Sequence, residues 1–117
     1  MRSWDEVAAY FQDFAREPRY AAFVRDMLIV VETLREHPTL GQLTREVGAG
    51  MITFAAPSAG RQIVFGWFKP KVYSAANRDA DGKLSDAQFV TLPGVIGALE
   101  QLLRSTDSRT STLPVSR

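Results

Sequence analysis

The chain has 117 residues, of which 45% are hydrophobic and 23% charged, a composition typical of one globular domain with its own core. The absence of cysteine excludes disulfides and thiol chemistry, and a single histidine without cysteine excludes the usual zinc sites. A formal net charge of +1 gives no overall attraction to nucleic acid or to a membrane surface.

The first part of the sequence predicts helices. Ser3 and Glu6 have the spacing of a capping box, and an apolar stripe follows at helical intervals: Trp4, Val7, Ala8, Phe11, Phe14 and Ala15. Pro18 suits the first turn of a second helix, which ends at His37 and Pro38. Thr39 with Gln42 predicts a third, short helix that ends at Gly48.

The second part predicts strands over four segments: Met51–Ala56, Gln62–Phe68, Val72–Ala76 and Gln88–Leu92. Turn sequences at 57–60 and 69–71 separate the first three, and Pro93 begins a last helix. We therefore expect an α+β fold, with N-terminal helices packed on an antiparallel meander of about four short strands and a closing C-terminal helix. Residues 1–104 form this single domain, and the Ser/Thr-rich segment 105–117 is predicted to be a disordered tail.

The stretch Asn77–Gln88 resembles an EF-hand calcium loop, with Asp79, Asp81 and Gly82 at its third, fifth and sixth positions. The twelfth position is Gln88, where a bidentate glutamate is usual. The favoured interpretation is a polar connection between two strands, because Asp-Gly beside Asp and Asn is ordinary turn chemistry.

The hairpin around QIVFGWF carries large apolar groups on both faces. Ile63, Phe65 and Trp67 alternate with Val64 and Phe68, so one layer of helices leaves one face uncovered. Aromatic and basic residues are enriched in binding hot spots, so we predict a partner-binding surface formed by Arg61, Trp67, Lys69, Lys71 and Tyr73. Burial of the aromatic residues in the core is the competing interpretation.

The same residues permit stacking of nucleic-acid bases, but the basic residues are too few to favour it. No nucleophile lies beside a base, and the single histidine, His37, suits capping of a helix end. We therefore expect no enzyme activity, no cofactor and no metal. The N-terminus lacks a signal-peptide core and no apolar run approaches the ~20 residues of a membrane span, so a soluble cytoplasmic protein is expected.

From about Ser3 to Arg104, the order of helices, a meander with a Trp/Tyr hairpin and a closing helix resembles small bacterial immunity proteins, which neutralise toxins. That resemblance, which rests on layout alone, implies a small, non-catalytic, protein-binding inhibitor. A calcium-responsive protein using 77–88 and a nucleic-acid-associated accessory protein are the alternatives. Another protein is the expected partner, and a second copy of the chain is the other candidate.

The composition of the 77–88 segment predicts weak calcium binding at best. Two carboxylates and no bidentate glutamate should limit the affinity to about 1 mM or weaker, the weak end of the range for such loops. Isothermal titration with millimolar calcium should therefore show no saturable heat. A micromolar site that is lost in Asp79→Ala would contradict this prediction.

Overall fold

The computed structural model describes residues 2–56 and 60–112, with side chains up to Ser105. In this part of the chain the helices are α1 (Trp4–Asp13), α2 (Ala21–Arg35) and α3 (Val95–Thr112). The strands are β1 (Arg45–Gly48), β2 (Met51–Ala55), β3 (Gln62–Lys69), β4 (Val72–Arg78) and β5 (Leu84–Val90). Short 3₁₀ turns occupy Phe14–Arg16, Pro18–Tyr20, Leu40–Gln42 and Leu92–Gly94. The predicted turn residues 57–59 lie outside the described residues.

The strands form one antiparallel meander in the order β1-β2-β3-β4-β5, which confirms the α+β fold with five strands instead of four. Neighbouring strands align Ile52 with Phe65 and Phe65 with Ala75, and all three side chains are buried. Because side chains alternate along a strand, these residues mark one inner face, which packs against all three α-helices. The core lies between that face and the helices.

The predicted capping box at the start of α1 is confirmed. The Ser3 backbone N–H donates to Glu6 Oε1 at 2.8 Å, and the Glu6 N–H donates to Ser3 Oγ at 3.1 Å. The apolar stripe of α1 then places Val7 and Phe11 in the core with no exposure to solvent. Pro18 begins a 3₁₀ turn that leads directly into α2, so the second predicted helix is confirmed in its position.

The third predicted helix is wrong, because the segment forms a 3₁₀ turn followed by β1. Thr39 makes no side-chain cap. Instead, His37 Nδ1 accepts the backbone N–H groups of Thr39 and Leu40 at 3.1 and 3.0 Å. Residues after this turn alternate in burial, with Arg45 buried and Glu46 exposed, and pair with β2. This segment therefore supplies β1, the additional strand that the sequence does not predict.

Arg45 joins the beginning of α1 to the sheet. Its guanidinium donates to the carbonyls of Arg2 and Gly41 at 2.7 and 2.9 Å, and it lies 4.3 Å from the centre of a Trp4 ring. Trp4 Nε1 donates to the same Gly41 carbonyl at 2.9 Å. Arg45 is only 5% exposed, and this burial lowers its pKa. Carbonyl oxygens and a ring face therefore replace water around the buried charge.

α3 continues beyond Arg104 to Thr112, so the segment predicted to be a tail, 105–117, begins inside this helix. Residues 113–117 lie outside the described residues. On the body of the protein, α3 is joined to the turn after α2 by a 2.7 Å hydrogen bond between His37 Nε2 and Glu100 Oε2. Because His37 Nδ1 accepts two N–H groups, the ring proton lies on Nε2 and is donated to Glu100. His37 thus holds elements together, and it caps the turn after α2 instead of α2 itself.

Among the described residues, no helix combines the length and the apolar character needed to cross a bilayer.

Gly41, the one glycine in the turn between α2 and β1, should not tolerate a larger side chain. A Cβ there would lie 2.6 Å from the Leu34 carbonyl oxygen and 2.9 Å from that of Arg35, and neither backbone atom can move freely. We expect Gly41→Ala to lower the free energy of unfolding by about 1–3 kcal/mol. The matched control is Gly48→Ala, whose Cβ meets nothing within 4 Å and which should change stability by less than about 0.5 kcal/mol. Equal losses in denaturant unfolding would contradict the tight contact at Gly41.

Candidate functional site

The five residues predicted to bind a partner lie at opposite ends of the β3–β4 hairpin. Near its turn are Trp67, Lys69, Lys71 and Tyr73, with Trp67 directly opposite Tyr73. Arg61 precedes the other end of β3, where Gln62 pairs with Arg78. At about 3.3 Å per residue, Arg61 is roughly 20 Å from Trp67. The structure therefore brings four predicted residues to one end and separates Arg61 from them.

The expected exposed outer surface containing both Trp67 and Tyr73 is wrong. Trp67 is 46% exposed, but Tyr73 is only 1% exposed. Both belong to the inner, helix-covered face, since the Trp67 ring meets the Phe23 ring of α2 edge-on at 6.4 Å. The predicted alternation along β3 is confirmed, with Phe68 on the other face. An extra residue at Phe68 interrupts the register between Trp67 and Lys69.

An open groove lies where the inner face of the hairpin meets the start of α2. We call it the aromatic groove, after the five rings that line it: Phe14, Tyr20, Phe23, Trp67 and Tyr73. The remaining lining residues are Arg19, Ala22, Asp26, Ala49, Gly50, Pro70 and Lys71. Its volume of about 610 Å³ falls within the usual range of ligand sites, ~300–1,000 Å³.

The rings of the aromatic groove support one another. Phe14 meets Tyr20 and Phe23 edge-on, with ring centres 5.8 and 5.6 Å apart, and Phe23 in turn meets Trp67. Edge-to-face pairs of this kind contribute about 0.5–1.5 kcal/mol each beyond burial. The rings are therefore held in position before anything binds.

One carboxylate lies among these rings. Asp26 of α2 accepts a hydrogen bond from the Tyr73 hydroxyl, with 3.1 Å between the hydroxyl and Oδ2. Burial raises the pKa of Tyr73 far above its usual range, and the negative charge of Asp26 raises it further. Tyr73 therefore stays protonated and serves as a fixed donor.

In two turns beside the aromatic groove, a residue other than glycine adopts the left-handed backbone conformation. Ala49 has φ 53° in the β1–β2 turn, where the next residue is Gly50 with φ 75°. Lys71 has φ 68° after Pro70 in the β3–β4 turn, at a position where glycine or asparagine is usual. Such conformations cost about 1–2 kcal/mol for a residue with a Cβ. Strain of this kind clusters at functional sites in proteins.

The outer face of the sheet is a second apolar surface. Phe68 and Phe89 are 51% and 60% exposed, and their ring centres lie 4.6 Å apart. Cross-strand pairing places Phe89 beside Ser74, and Leu84 is a third exposed apolar residue, 55% accessible, on β5. One sheet face is thus left uncovered by helices, as expected. Phe68 lies on that face, whereas Trp67 lies on the face that the helices cover.

The Asn77–Gln88 stretch does not form one twelve-residue ion loop. Asn77 lies in β4 and pairs with Ser85 of β5, so strands occupy both ends. Between them, Asp79 Oδ1 accepts the N–H groups of Asp81 and Lys83, both at 2.9 Å. These contacts, led by the Lys83 N–H, lower the pKa of Asp79. The interpretation as a polar connection between strands is confirmed, and no cluster of three or more acidic or histidine side chains suited to a metal occurs among the described residues.

The basic residues around the hairpin do not form one stripe. Lys69 and Lys71 lie at the turn, whereas Arg78 lies at the far end and donates to Gln62 Oε1 at 2.9 and 2.7 Å. Arg61 is therefore separated from the two lysines with which it was predicted to form one surface, and the nucleic-acid alternative loses the continuous charge that phosphate binding needs.

Sequence reasoning missed the contribution of α2 to this site. The sequence analysis does not identify Tyr20, Phe23 or Asp26 as site residues. A signal was present, because Tyr20, Phe23 and Asp26 recur every three residues and so share one side of the chain. That spacing alone could not tell which side faces the hairpin.

Comparison with known proteins adds no relative. No protein-family model matches the sequence, and no significant match was found among curated proteins or solved structures.

The Tyr73 hydroxyl should stabilise the fold only while it stays protonated. At pH 8 we expect Tyr73→Phe to lower the free energy of unfolding by about 1 kcal/mol, because Asp26 loses its donor. Tyr73 has a raised folded-state pKa, so its contribution is present below the unfolded value of about 10 and falls as pH rises above it. Denaturant unfolding at pH 8 to 11 should show the difference from wild type shrinking.

The control for that series is Tyr20→Phe, which changes another groove tyrosine whose hydroxyl makes no hydrogen bond among the described residues. It should alter stability by less than about 0.5 kcal/mol at pH 8. A wild-type advantage over Tyr73→Phe that grows with pH would show that the hydroxyl does not act as a buried donor.

Proposed function

We propose that the chain is a non-catalytic protein-binding module that holds its partner at the aromatic groove. The observation that carries this proposal is the convergence of five aromatic side chains on one open groove, with Trp67 about half exposed at its mouth. Aromatic residues dominate binding energy at protein interfaces because they bury a large area with few rotatable bonds. A groove of preformed rings therefore suits a side chain inserted by a partner.

The polar groups of the groove favour binding over catalysis. Asp26 and the Tyr73 hydroxyl bond to each other, and the described residues that line the groove include no histidine, serine or threonine that could act as a base or nucleophile. The single histidine of the chain contacts Glu100 and backbone amides elsewhere in the fold. These contacts support positioning and recognition as the role of the site.

Backbone strain supports the same location. Ala49 and Lys71 line the groove in conformations that glycine would adopt at lower cost. The side chain of Lys71 is exposed beside Trp67, where it can contact a partner. Contact of Lys71 with a partner would explain why a lysine occupies this costly left-handed conformation.

The resemblance in layout to bacterial immunity proteins makes the proposal more specific. On that basis the partner is a toxin-like protein, and the module inhibits it in the bacterial cytoplasm. The preformed groove is consistent with an inhibitor, since tight inhibitory complexes use surfaces that change little on binding.

A selection of displayed random peptides against the purified chain tests the groove. Peptides enriched by the wild-type protein should bind Trp67→Ala at least ~30-fold more weakly, the loss expected when a binding hot spot is removed. The matched control is Phe68→Ala, which removes the adjacent aromatic residue of similar exposure on the opposite sheet face. It should change affinity by less than about twofold.

Thermal unfolding of both variants should show that each remains folded. Peptides that lose affinity for Phe68→Ala and keep it for Trp67→Ala would contradict the proposal and move the binding surface to the outer face. A selection that yields no peptide dependent on Trp67 would contradict it as well.

A further inference from the structure

The groove contains a charge that the protein leaves without a partner of opposite sign. Asp26 is partly buried among the five rings, and its Oδ2 accepts the Tyr73 hydroxyl. None of the salt bridges among the described residues involves Asp26. Its second oxygen, Oδ1, has no hydrogen-bond donor within the described part of the chain. A carboxylate that is partly shielded from water gains from a cation that reaches it.

The positive residues that line the groove, Arg19 and Lys71, form no ion pair with Asp26 among the described residues. Arg19 lies over the Tyr20 ring at 4.9 Å and pairs with Glu17 at 3.6 Å, and its side chain is 73% exposed. Lys71 is exposed in the β3–β4 turn and is in none of the salt bridges of the described residues. The groove is therefore negative inside and positive at its edge.

The chain itself shows what fits such a site. Arg45 places its guanidinium 4.3 Å from a Trp4 ring centre while its N–H groups bond to oxygen atoms. Asp26 offers a stronger acceptor than those carbonyls, and the Phe23 and Trp67 rings lie beside it. An arginine side chain from outside could make the same pair of contacts.

We propose that the aromatic groove binds an arginine side chain of the partner, with its guanidinium on Asp26 and its flat face against the half-exposed ring of Trp67. This inference rests on the proposed function and names the chemistry of the inserted residue. Guanidinium combines a planar face for stacking with several N–H donors, so it suits a carboxylate set among rings better than an ammonium does.

A neutral apolar side chain is the competing occupant. It would fill the same volume and contact the same rings. It would also exclude water from Asp26 without supplying a donor, and leaving a buried carboxylate oxygen without a donor weakens binding. Arginine is therefore favoured by the charge and not by the shape of the groove.

The test compares two probes of nearly equal shape, Nα-acetyl-arginine amide and Nα-acetyl-citrulline amide, of which only the first is charged. Titration into ¹⁵N-labelled protein should shift the indole N–H resonance of Trp67. A ligand of this size that binds efficiently has a dissociation constant of about 1 mM. We expect that value for the arginine probe and a value at least ~5-fold weaker for the citrulline probe.

The test variant is Asp26→Asn, which keeps an oxygen to accept the Tyr73 hydroxyl and removes the charge. It should weaken the arginine probe to the level of citrulline. The control is Glu36→Gln, which makes the same change of net charge at the far end of α2, roughly 15 Å away, and should leave both affinities unchanged. Nα-acetyl-phenylalanine amide serves as the apolar comparison.

Equal binding of arginine and citrulline, or an arginine affinity unaffected by Asp26→Asn, would overturn the inference. Tighter binding of the phenylalanine probe would also overturn it while leaving the proposed binding function intact. If no probe shifts Trp67 at 20 mM but Trp67-dependent peptides are selected, the choice of arginine is wrong and the groove is still a binding site. If both experiments fail, the proposed function fails too.

Discussion

The inner face of the sheet must be covered by helices, and the arrangement of the whole molecule follows from that requirement. Ile52, Phe54, Ile63 and Phe65 lie on neighbouring strands and are not exposed at all. Full burial of four large side chains on one face of a meander requires a second layer, since one sheet cannot exclude water from its own surface. The three α-helices supply that layer, and the Arg45 contacts with Trp4 and Gly41 attach the first of them to the first strand.

The groove exists because the helix layer does not cover the whole inner face of the sheet. The β1–β2 and β3–β4 turns lie beside the 3₁₀ turns that precede α2, where the chain changes direction at Pro18. Trp67 continues the inner face beyond the covered part and keeps nearly half of its surface in water. Rings that would otherwise be core thus become the wall of an open site, with the strained turns at its edge.

Arg45 and Asp26, a buried and a partly buried charge, have different surroundings. Arg45 donates to two carbonyl oxygens and lies against the face of Trp4, while its Nε has no hydrogen-bond partner among the described residues. Asp26 receives a single hydroxyl from Tyr73 and no cation. Arg45 therefore completes the structure, whereas Asp26 remains available to a ligand.

By itself the sequence determined the elements whose signals are local. The Ser3–Glu6 box, the amphipathic stripes of α1 and α2, the β3 alternation and the Asp-Gly connection all depend on residues a few positions apart, and each formed in its predicted position. It misassigned Arg45–Gly48, whose strand depends on pairing with β2.

Only the tertiary structure decided which sheet face the helices cover, and hence that Tyr73 is buried, Phe68 is exposed and Asp26 meets the hairpin. Both faces of β3 are apolar, so periodicity could not choose between them, and the choice was made by packing between residues far apart in the chain.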